Sequence, residues 1–140
     1  MKDNESKSDF TEQAKLMFAF LTEHSFSCIT ISSFKIRYES KKAYIEIAYG
    51  ERDGEVSISF GRIGRNEDYS FTLFLRLVNP ELDEQLGNRL AYNPSQICEC
   101  LKKLAYALKS EGLPIINGDD AVFERMKSVR WWDFRPEALQ

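Results

Sequence analysis

The feature that most limits what this chain can fold into is a change of hydrophobic period. Over "SSFKIRYES" the apolar residues Phe34, Ile36 and Tyr38 alternate with Lys35, Arg37 and Glu39. Ile45, Ile47 and Tyr49 then alternate with Glu46 and Ala48, and Val56, Ile58 and Phe60 with Ser57 and Ser59. A period of two marks a strand with one buried face. On either side the period lengthens: Phe10, Ala14, Met17, Phe18 and Leu21 before, and Ile97, Leu101, Leu104, Ala105 and Leu108 after, recur three or four residues apart. That spacing is one face of a helix. The order predicts an α+β domain: an N-terminal helix, a three-stranded antiparallel meander, then two or three C-terminal helices packed on one sheet face.

Turn chemistry sets the joints. Asp53-Gly54 supplies the two positive-φ residues of a type I′ turn between the second and third strands, and the short Ser40-Lys41-Lys42 connection makes the first strand their neighbour. Ile29 and Ile31 have the opposite parity to Phe34 and Ile36, so a continuous strand there requires a bulge or loop at Ser32-Ser33. Asp9 with Glu12 reads as the cap of the first helix, which is expected to end near His24. Residues 70–78 carry both periods. Asp68 or Ser70 can cap a short helix there, stopped by Asn79-Pro80, while Phe71, Leu73, Leu75 and Leu77 also alternate as a strand would; helix is the reading adopted. Asn93-Pro94 followed by Gln96 starts the next helix, and Gly112 with Pro114 stops it. The last helix is expected from Asp119 towards Trp132, with Val122, Phe123, Met126 and Val129 inward.

A chain of 140 residues fits one domain, placed at 9–134 between a disordered segment 1–8 and a tail 135–140. Its 19 basic and 22 acidic residues give a net charge of −3, without the electrostatic footprint of a nucleic-acid binder. The longest apolar run, Phe71 to Val78, is far short of the roughly 20 residues that span a bilayer. The polar opening "MKDNESKSDF" does not read as a secretory signal, so a cytoplasmic location is expected. Three cysteines, Cys28, Cys98 and Cys100, are an odd count and read as reduced core thiols.

Few residues suggest chemistry. Asp119 and Asp120 in "NGDD" resemble a carboxylate pair offered to a metal, but adjacent residues at a helix start point about 100° apart. They read as an N-cap and a first-turn acid, and no metal or other cofactor is expected. His24 is the only histidine and reads as a structural residue at a helix end, so acid/base catalysis would fall to Tyr, Lys or carboxylates such as Glu46, Asp119 or Asp120; no catalytic residue is assigned. Cys98 and Cys100, two apart on a helix, diverge too far for a zinc half-site. "GRIGR" places Arg62 and Arg65 in a glycine-flanked turn, able to hold an anion or simply to turn the chain. In "RWWDFRP", Trp131 and Trp132 cannot both point into the core. An exposed indole beside Arg130 and Arg135 either anchors a protein partner or covers a sheet edge and stacks on an arginine.

The elements "YSFTLFLRLV" and "LKKLAYALKSEGLPIINGDDAVFERM", within residues 10 to 127, resemble small cytosolic bacterial proteins of the polymorphic-toxin immunity type. The resemblance implies a protein that binds and blocks another protein, a cognate toxin, through charged and aromatic surface residues. The mild acidity departs from a pairing strongly steered towards a basic nuclease. The expected function is therefore a non-enzymatic protein-binding module of the immunity or inhibitor kind, acting through Arg130, Trp131, Trp132 and Arg135, with binding of a small anionic ligand at Arg62 and Arg65 as the alternative.

Overall fold

The structure, a computed structural model, describes residues 2–134, with the side chains of residues 2–9, Trp132 and Phe134 outside that description. Helix α1, Lys2–Met17, leads through Phe18 into a 3₁₀ turn, Ala19–His24, closed by Ser25 at φ 70°. The helix thus begins at Lys2, ahead of the expected Asp9 cap. Of the predicted stripe, Phe10, Ala14, Phe18 and Leu21 are fully buried and Met17 partly so.

The sheet is the main correction. Five strands, β1 (Ser27–Ser32), β2 (Lys35–Glu39), β3 (Ala43–Tyr49), β4 (Val56–Arg62) and β5 (Tyr69–Ser70), form a wholly antiparallel meander in chain order, two more strands than the three expected. The central three are the predicted ones. Register places Ile36 against Ile47, Tyr38 against Ile45 and Phe60 against Ile45, so the alternating residues share one inner face, buried except at Phe34 and Tyr49, which are partly exposed. The parity slip before Phe34 is real: β1 shifts register against β2 between Thr30 and Ser32, and a turn at Ser33-Phe34 separates the strands.

The β3–β4 connection is longer than the expected two-residue type I′ turn. Tyr49 pairs with Val56, and the loop between them is closed by hydrogen bonds from Gly50 N to the Glu55 carbonyl and from Gly54 N to the Gly50 carbonyl, each 2.8 Å. Gly54 takes φ 73° but Asp53 does not have positive φ, which excludes type I′.

Residues 71–78 are helical (α2, Phe71–Val78), with the Ser70 hydroxyl accepting from Leu73 N at 3.3 Å. Asn79 ends α2 and caps α3 (Pro80–Leu86); Asn93 caps α4 (Pro94–Glu111) through Gln96 N at 2.9 Å. After α5 (Leu113–Ile116), α6 (Asp120–Met126) stops short of Trp132, and a 3₁₀ turn, Trp131–Phe134, follows. Helices cover the inner face: Phe60 lies 6.0 Å from Phe74 of α2 and 5.8 Å from Phe123 of α6, between ring centroids. Each such ring withdrawn from water stabilises by about 1.5–3 kcal/mol. Among the described residues no helix is long and apolar enough to cross a membrane.

Candidate functional site

Arg62 and Arg65, expected to hold an anion, occupy different settings. Arg62 ends β4 on the inner-face side, opposite Ala43, and is buried. Its Nε donates to Glu67 Oε1 at 2.9 Å and its Nη2 to Glu67 Oε2; Nη2 also reaches Glu124 Oε2 at 2.7 Å and Nη1 reaches Asp120 Oδ1 at 3.2 Å. The guanidinium also lies 5.3 Å over the Phe123 ring. Three carboxylates thus absorb the donors that a ligand would need. Glu67 is as buried as its partner, each side chain 6% exposed, and hydrogen bonds from Arg62 lower its pKa to about 2. The same bonds hold the Arg62 guanidinium firmly charged. Arg65 is half exposed and, among the described residues, forms one ion pair, with Glu124 at 3.9 Å. The two arginines do line one open depression of about 220 Å³ with Lys41 and Lys42 and meet at Glu124 Oε2, but there the Arg62 donors are already taken by carboxylates.

The same network settles "NGDD". Asp119 Oδ1 accepts from Ala121 N at 3.1 Å as the cap of α6, while Asp120 turns to Arg62. Glu46 sits on the outer face of β3, bonded to Arg37 at 2.8 Å. The three carboxylates considered for acid/base chemistry thus point at three different partners. Cys100 is buried, but Cys28 is exposed on β1, which corrects its reading as a core thiol; all three thiols are free.

Loop 63–68 closes over the outer face. Tyr44 of β3 lies under it, its hydroxyl donating to the Glu67 carbonyl at 2.5 Å, with Asp68 Oδ1 at 3.0 Å and Arg37 4.0 Å over its ring. Its strand partner is Gly61, where a Cβ would stand 2.7 Å from the Tyr44 ring and 2.6 Å from the Glu67 carbonyl. "GRIGR" is thus a structural clamp: glycine admits the ring, and Arg62 holds the loop's carboxylate.

His24 is exposed and, with Lys41, Lys42 and Asn117, rims an open depression of about 420 Å³. No side chain there is both buried and unpartnered.

The more built cleft, about 390 Å³, lies at the far edge of the sheet. Among the described residues β4 is paired on that side at two places: Ser59 and Phe60 meet β5, and Glu55 bridges to Leu90, with Val56 N donating to the Arg89 carbonyl at 2.8 Å. No strand covers Ser57 and Ile58 between them, and both line the cleft with Ser70, Thr72, Arg76 and Trp131. Arg76 lies 5.2 Å over the Trp131 ring, which is 50% exposed. Asp83 braces both arginines from behind, bonded to Arg76 Nε at 3.0 Å and to Arg89 Nη2. Arg89 Nη1 donates to the Gly87 carbonyl at 2.9 Å, yet its Nε is buried with no hydrogen-bond partner among the described residues.

Of the predicted partner-binding residues, Trp131 lies on this cleft. Arg130 instead folds back on the Lys127 and Val129 carbonyls, the Trp132 side chain is not described, and Arg135 lies outside the described residues. Sequence reasoning missed Arg89, which sits in the aperiodic "GNRLAYN". Arg76 announced itself only as a charge interrupting an apolar helix. No protein-family model, no curated protein and no solved structure matches this chain.

Proposed function

We propose that the chain is a non-enzymatic protein-binding module that takes an extended, acidic segment of a partner in the cleft beside Trp131. The observation that carries the reading is the gap in the β4 edge at Ser57-Ile58, flanked by two arginines and a half-exposed tryptophan. Strand addition at such a gap supplies main-chain hydrogen bonds, and flanking side chains supply specificity. Arg76, the more exposed of the two arginines, offers a carboxylate charge-assisted hydrogen bonds, and Trp131 offers the kind of aromatic surface that dominates binding energies. The finer form, an immunity-type inhibitor of a cognate toxin, rests on the resemblance described above. The alternative of a small anion at Arg62 and Arg65 is disfavoured because Arg62 is taken by Glu67, Asp120 and Glu124.

Selection of random peptides displayed on phage tests the reading. Enriched peptides should be rich in Asp or Glu, and Trp131→Ala or Arg76→Ala should weaken them at least about tenfold, while Arg65→Ala leaves them unchanged. Peptides without acidic enrichment, or equally bound by Trp131→Ala, contradict it.

A further inference from the structure

The opposite edge of the sheet is open in a different way. All six residues of β1, Ser27–Ser32, are exposed, including Ile29 at 41% and Ile31 at 51%, and one side of the strand has no partner among the described residues. The strand "SCITIS" holds no charge and no proline, and two of its six residues are β-branched isoleucines. Edge strands of stable monomers are ordinarily blunted by lysines, prolines, bulges or a covering segment. Among the described residues the register shift between Thr30 and Ser32 is the one such device on the strand, and it leaves Ile31 without a paired residue on β2.

We infer that β1 pairs antiparallel with β1 of a second copy of this chain, across a two-fold axis through Thr30. The segment is self-complementary about that residue: antiparallel pairing sets Thr30 opposite Thr30, Cys28 opposite Ser32, and Ile29 opposite Ile31 of the other copy. Both exposed isoleucines thereby gain an apolar neighbour and no charge faces a like charge. Any other register sets an isoleucine opposite a polar or small side chain. The result is one ten-stranded sheet from two five-stranded ones. A six-residue strand pairing buries less than the roughly 1,200 Å² of a standard stable interface, so the dimer is reversible. This surface lies at the sheet edge away from the Trp131 cleft, and its fate is independent of the peptide-binding proposal.

Sedimentation velocity from about 1 μM to about 1 mM reads the equilibrium. The sedimentation coefficient should rise from monomer towards dimer, and Ile31→Lys, at an exposed position, should weaken dimerisation at least about tenfold while circular dichroism is unchanged. Register is read by crosslinking. In a Cys28→Ser, Cys98→Ser background, Thr30→Cys places two thiols opposite each other at the axis, within the Cα separation of about 4.4–6.8 Å that a disulfide spans; Ile29→Cys offsets them. Mild oxidation should yield disulfide-linked dimer from the first variant several times faster than from the second. A monomer at every concentration overturns the inference, as does a dimer that Ile31→Lys leaves intact or that crosslinks equally well from both positions.

Discussion

Arg62 reaches carboxylates 5, 58 and 62 residues further along the chain, and that reach explains why its role was hidden in the sequence. A glycine-flanked "GRIGR" has the local look of an anion-binding turn; its real partners are Glu67 in the following loop and two carboxylates brought in by α6. Removing the cation leaves Glu67 buried beside no counter-charge, and breaking one side of a buried pair is far more damaging than losing a surface contact. Arg62→Ala is therefore expected to lower the melting temperature by roughly ten degrees, whereas Arg65→Ala changes it by no more than a degree or so, as scanning calorimetry will read. Glu67 adds a pH dependence. Its folded-state pKa lies near 2, below its ordinary value, so its stabilisation is complete above the ordinary carboxylate range and is lost as pH falls towards 2. The urea midpoint should fall between pH 5 and pH 2, and Glu67→Gln should flatten that fall.

At the scale of elements, the legible features were those with a local cause. The caps at Asn93 and Asp119, the helix stop at Gly112 and the buried stripes of α1 and α4 all follow from spacing and side-chain chemistry. The helix at 71–78 resolved two competing periods, because the Ser70 cap and the neighbouring Phe60 ring reward the helical face. β1 was half legible: the parity slip at Ser32-Ser33 showed in the sequence, but neither face of the strand is buried, so nothing marked it as a strand of its own; β5, at two residues, is too short for any period. Two substitutions probe the joint before α6. Asp119→Ala should cost about 1 kcal/mol through the lost cap. Gly118→Ala should cost more, because Gly118 sits at φ 67° with a Cβ position 2.6 Å from Lys42 Cβ, which requires both left-handed backbone and movement of the β2–β3 turn. Denaturant titration of both proteins orders the two effects.

For the whole molecule, the meander leaves two differently finished sheet edges. One edge, β1, is continuous and uncharged; the other is closed at both ends, by β5 and by Leu90, around a short uncovered stretch lined with Arg76, Arg89 and Trp131. The candidate site was half legible: adjacent tryptophans implied one exposed ring, but the cleft beside it is assembled from β4, α2 and residues 88–90, which no local pattern links. Titration of isotope-labelled protein with a capped hexapeptide of alternating valine and glutamate, followed by amide and indole chemical shifts, tests the central claim most directly. Binding in the cleft predicts saturable shifts at Ser57, Ile58, Arg89 and the Trp131 indole that disappear in Arg76→Ala. Shifts centred on Lys41, Lys42 and Arg65, or none at the Trp131 indole at saturation, would contradict it.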